Sequence, residues 1–161
     1  MQVVIGVFVQ VRLGRNAMEI SSMGKVVVSA KIDNLSDLMR SEAGDIDTDQ
    51  VRSLEVDDAL VDTGATMFSL PSDRIKQLGL TQRRTRTGRT TAGTVTFGIY
   101  GPVRLTIDDR DCLVEVCEVP NDCPPLIGQI PLEALDFVID PVGQKLMGNP
   151  DHDGEHMIDL F

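Results

Sequence analysis

VDDALVDTGATMFSLP, Val56–Pro71, is the stretch whose reading decides the fold. The apolar run Ala59-Leu60-Val61 ends in Asp62-Thr63-Gly64, and a second apolar run follows from Met67. Aspartate ahead of glycine serves plain turns, because its side chain bonds backbone two residues on. It also serves chemistry, provided the chain supplies a partner acid, a cover and a support.

The rest of the chain describes the setting. Its 161 residues are 42% hydrophobic and 25% charged, which suits one globular domain spanning 1–161 with a real core. The formal net charge of -10 argues against a nucleic-acid partner, whose phosphates call for a basic surface. No apolar run is long enough to span a bilayer, so no membrane partner is expected. The opening MQVVIGVFVQVRLGRN has no basic residue ahead of its apolar run and no small-residue cleavage site after it. It reads as a strand rather than a leader. Cys112, Cys117 and Cys123 are odd in number and lack a C-x-x-C pair. They predict reduced thiols in a cytoplasmic protein, and no metal site.

Strand signals dominate. Short runs, most of them rich in β-branched residues, predict strands at Val3–Val11, Lys25–Ile32, Leu54–Val61, Thr94–Tyr100, Val103–Ile107, Cys112–Val119 and Phe137–Ile139, with turn formers near their ends. Leu35–Arg40 reads as a helix capped by Asn34, Ser72–Leu78 as one lying between Pro71 and Gly79, and Pro131–Leu135 as a third. Ser41–Gln50 is polar and acidic and reads as a loop. The pattern predicts an all-β barrel or sandwich.

If Asp62 is catalytic, it needs a second carboxylate. Two acids held a few ångströms apart cannot both ionise, so one activates water while the other donates a proton or hydrogen bond to the scissile carbonyl. Thr63 suits a bracing role through its hydroxyl, and Gly64 allows close approach of backbone. Ala65 offers no side-chain donor to stabilise the ionised acid, which predicts a less acidic optimum than a serine there.

LVDTGAT (Leu60–Thr66) followed by PPLIGQIPLEALDFVID (Pro124–Asp140) resembles the retropepsin-like aspartic proteases, and most closely their small bacterial members. The resemblance runs from about Leu54 to Leu146. It implies a closed, barrel-like acid-protease fold with one or two short helices, and peptide-bond hydrolysis by Asp62 with no metal or organic cofactor. It implies that Leu126, Ile127 and Gly128 cross behind the active-site loop and lead into the helix at Pro131–Leu135. One D-T-G per chain then implies a homodimer in which two Asp62 carboxyls face each other across a two-fold axis. Met1–Val11 and Met157–Phe161 are the candidate interface strands, and a peptide or protein is the substrate. GRTTAGTVTFGIYG (Gly88–Gly101) becomes the covering flap, with Thr91, Ala92, Gly93 and Thr94 at its mobile tip; an ordinary exposed hairpin is the other reading. Many retroviral members pair an acid after D-T-G-A with an arginine after the later glycine. Here those positions hold Thr66 and Gln129, so the pair is replaced on both sides and no lone charge is left buried. A dimeric binding or scaffold domain that keeps the fold without useful turnover is the alternative.

Three other motifs compete. HDGEH (His152–His156) matches an H-x-x-E-H zinc pattern, but Gly154 inside it and Asn149-Pro150 before it work against the helix that would align both imidazoles. A solvated C-terminal loop is expected instead. GDIDTDQVRSLE (Gly44–Glu55) mimics a calcium loop but has Gln50 where glycine is needed and Val56 where glutamate is needed. QRRTRTGR (Gln82–Arg89) reads as a solvated strand face, or as a basic approach to the flap that favours acidic substrates.

Overall fold

The computed structural model describes residues 25–90, 93–158 and 160. The strand expected at Val3–Val11 lies outside the described residues, as do Thr91 and Ala92. In chain order the elements are β1 (Val26–Asn34), α1 (Leu35–Glu42), β2 (Ser53–Val61), β3 (Phe68–Pro71), α2 (Ser72–Gln77) and β4 (Gln82–Thr90). Then come β5 (Gly93–Ile107), β6 (Arg110–Val119), β7 (Leu126–Ile127), α3 (Gln129–Ala134), β8 (Phe137–Asp140) and β9 (Lys145–Gly148).

Six strands close into a barrel in the order β1-β2-β7-β3-β6-β5, with β5 returning to β1. Closure leaves no strand edge within the ring. It depends on the 15 residues of β5. Its first half pairs with β4 from Gly93 to Tyr100. Its second half pairs with β1 from Val103 to Thr106. The β4–β5 hairpin therefore projects as an arm from the barrel. From Gly101 to Ile107 burial alternates residue by residue, as the two-residue period of a half-buried strand demands.

The core fills the barrel with Ile32, Phe68, Leu70, Val103, Leu105, Val116 and Ile127, all fully buried. Each such side chain contributes roughly 1.5–3 kcal/mol of transfer free energy. Polar pins close one end. Asn34 accepts the Asp37 amide at 3.2 Å as the cap of α1 and donates to the Leu78 carbonyl at 2.8 Å. Asp37 takes two hydrogen bonds from the Arg52 guanidinium, at 2.6 and 2.9 Å. Buried Asp33 is held by Arg104 and Ser53.

Several expectations need correction. Thr94–Tyr100 and Val103–Ile107 are one strand: Gly101, with φ +94°, and Pro102 make an irregularity inside β5 rather than a turn. Ser41 and Glu42 belong to α1 and Thr48–Gln50 to a 3-10 turn, so Ser41–Gln50 is only partly loop. Asp47 and Gln50 cap each other reciprocally there, which gives the acidic stretch local order. The four-residue β3 and β9 are too short for their periodicity to show in sequence.

Candidate functional site

Asp62 sits immediately beyond the end of β2. Strand β7 lies parallel to that end, with Leu60 opposite Leu126 and Val61 opposite Ile127. The Asp62 amide donates to the Ile127 carbonyl at 3.0 Å, which fixes the backbone from which the acid projects. The chain then turns sharply, the Ala65 amide donating to the Asp62 carbonyl at 3.1 Å.

The carboxylate is held asymmetrically. Oδ1 accepts the Gly64 amide at 2.9 Å. Oδ2 is buried with no hydrogen-bond partner, and the residue as a whole is only 8% exposed. Thr63, Gly64 and Thr66 are exposed, whereas Ala65 is buried at 2%. The Gly64 N–H is thus turned back onto the acid.

Behind the loop, Gly128 is pressed against backbone. A Cβ on it would come within 2.5 Å of the Met67 carbonyl oxygen and 2.7 Å of that of Ala65. The next two amides, Gln129 and Ile130, donate to the Ala65 and Thr66 carbonyls at 2.8 and 3.0 Å. Leu126, Ile127 and Gly128 are therefore brought against the Asp62 loop, and α3 starts from it. The Gln129 side chain turns along α3 to Glu133, at 2.8 Å, and not toward Thr66.

A row of side chains extends from the acid across the sheet. Register places Leu60 beside Leu126, Leu126 beside Ser69, Ser69 beside Cys117 and Cys117 beside Ile99. All five are buried, yet none belongs to the barrel core cluster. Leu60 shares the side of β2 that Asp62 continues, so this row is the floor on the acid's side of the sheet. Burial pushes the Cys117 thiol up to about 11, making it a packing group rather than a nucleophile.

The last described pair of the hairpin arm is Thr90–Gly93, and Gly93 and Thr94 are exposed. Arg84 is ion-paired with Glu115 across the sheet. Arg83 donates to the Gly101 carbonyl at 2.9 Å. A groove of about 600 Å3 lies elsewhere, among Lys31, Glu55, Asp57 and Thr106. Two smaller cavities, at Arg52 and Gly79 and at Met67 and Ile130, also leave Asp62 out of their linings.

The C-terminal segment is largely exposed, as a solvated loop is, but it is anchored at His152. His152 Nδ1 lies 2.7 Å from the Asp136 carboxylate, with its side chain 17% exposed. His156 instead faces the Ala134 carbonyl at 3.2 Å. The residues between them include a left-handed Asp153 and no α-helix, so the two imidazoles do not share a helix face. Asp136 also accepts from Asn149 Nδ2 at 3.0 Å and the Met157 amide at 3.1 Å. The His152 bond, ahead of the other two, draws the Asp136 carboxyl down to about 2. This cluster was not legible in sequence, because its members are 16 residues apart and only a conventional Asp and His to the eye. Met157 and Ile158 form no strand within the chain.

The chain matches no family model and no curated protein.

Proposed function

We propose that the chain is an aspartic endopeptidase of retropepsin type, active as a homodimer, with Asp62 of each copy forming a water-activating dyad. The observation that carries this reading is the state of Asp62. One carboxylate oxygen is fixed by the Gly64 amide and the other is buried without a partner. Leaving a buried acceptor unsatisfied costs about 1–3 kcal/mol. A second carboxyl brought beside this acid splits the two pKa values, as acid–base catalysis needs.

In this mechanism the ionised Asp62 takes a proton from water as the water oxygen attacks the scissile carbonyl carbon. The protonated Asp62 of the other copy gives its proton to the carbonyl oxygen. The tetrahedral diol then collapses: the ionised carboxyl takes a proton from one diol hydroxyl as the carbonyl re-forms, and the C–N bond breaks as the protonated carboxyl passes its proton to the amine. Thr63, exposed in the single chain, would brace the two loops against each other, and Gly64 would face substrate backbone. The β4–β5 arm, with Thr91, Ala92, Gly93 and Thr94 at its end, would cover the peptide. The chemistry calls for no metal.

The test is incubation with a mixed peptide library from mildly acidic to neutral pH, beside Asp62→Asn, with products read by mass spectrometry. The reading predicts cleavage by the wild type that survives a chelator and vanishes in the variant. Absence of cleavage at any protein concentration would favour a dimeric binding domain, and chelator-sensitive cleavage that survives Asp62→Asn would refute the assignment.

A further inference from the structure

We infer that residues Asn149–Met157 act as a brace which holds α3 from behind and, through it, fixes the loop that carries Asp62. The significance of this brace for catalysis rests on the peptidase reading; the mechanical coupling does not.

Helix α3 has only six residues, about 9 Å of rise, and both of its ends are tied. At its start, the Gln129 and Ile130 amides hold the Ala65 and Thr66 carbonyls. At its end, Arg110 Nη1 donates to the Leu135 and Asp136 carbonyls at 2.9 and 2.7 Å. The same guanidinium reaches the Gly154 carbonyl through Nη2 and lies over the Phe137 ring, 4.5 Å from its centroid. Arg110 is 6% exposed, and these hydrogen bonds are all to carbonyl oxygens. A buried guanidinium deprived of one acceptor is costly, so the Gly154 carbonyl is held in place by the cation's need for it.

Asp136 completes the latch. It stands at φ +53°, in the left-handed region, and its carboxylate gathers His152, Asn149 and the Met157 amide. Its carbonyl accepts the Asn149 amide at 3.1 Å. Gly148 allows the crossing, since a Cβ there would collide with the Gly154 carbonyl and the Arg110 guanidinium. A short helix bonded at one end to the Asp62 loop and at the other to this latch has little freedom to move one without the other.

The experiment is amide hydrogen exchange by NMR on the full chain, comparing wild type with His152→Ala and with His152→Gln, which keeps a donor for Asp136. The brace predicts that His152→Ala speeds exchange at Gln129 and Ile130 by about tenfold or more, while Leu105 and Val116 in the barrel stay unchanged. His152→Gln should restore most of the protection. Loosening confined to Met157, or equal acceleration of barrel and α3 amides, would overturn it. Should the exchange result hold while peptide cleavage is absent in every form, the peptidase reading fails and the brace stands.

Discussion

Gly128 sits so close behind Ala65 that a single added carbon would lie 2.7 Å from the Ala65 carbonyl oxygen. The contact is with backbone atoms of Ala65 and Met67, and the same loop carries Asp62 three to five residues away. No side-chain rotation relieves it. Gly128→Ala is therefore expected to cost roughly 1–3 kcal/mol, as overpacking does. It should lower the urea midpoint and abolish cleavage more completely than it lowers stability.

Asn34 links two elements far apart in sequence, capping α1 and binding the Leu78 carbonyl at the end of α2. Asn34→Ala removes both bonds and should destabilise by about 1–2 kcal/mol in equilibrium unfolding. Asn34→Asp keeps the cap acceptor but turns an oxygen on the Leu78 carbonyl, so it should not recover wild-type stability.

Acid should unfold the protein through identifiable carboxylates. Asp136 is lowered to about 2, chiefly by the His152 bond. Asp37 is lowered chiefly by the Arg52 bond. Burial opposes ionisation of Asp33, but the Ser53 and Arg104 bonds outweigh it and lower that group too. A depressed folded pKa means the unfolded state binds more protons, so stability rises with pH through this range. These contributions are complete above the ordinary carboxylate value of about 3.9 and are lost as pH falls toward about 2. Urea midpoints measured across that window should fall steadily on acidification, and the slope should shrink in Asp136→Asn.

The Arg84–Glu115 pair is expected to matter little. Its side chains are 42% and 35% exposed, so screening is strong. Arg84→Gln should change stability by less than about 1 kcal/mol and leave peptide preference untouched. A large shift in preference toward neutral peptides would instead return Arg84 to the substrate path.

Much of the frame was written locally. The apolar run before Asp62 and the Asn34 cap each specify their own element, and the structure has a strand and a helix there. The parallel pairing of β2 with β7 had no local signal, because 66 residues separate Leu60 from Leu126. Local periodicity failed where tertiary pairing decides. Gly101-Pro102 reads as a turn, yet β5 continues through it because β6 and β1 pair with its far half. The polar cluster of Arg110, Asp136, Asn149 and His152 left no local signal at all. Each residue alone is an ordinary surface polar group, and only the fold brings them under cover.

The most direct measurement of the central claim mixes wild-type protein with Asp62→Asn in varied proportion under conditions that allow subunits to exchange. A dyad built from two copies needs both acids, so cleavage should follow the square of the wild-type fraction. Cleavage proportional to that fraction, each chain working alone, would contradict it.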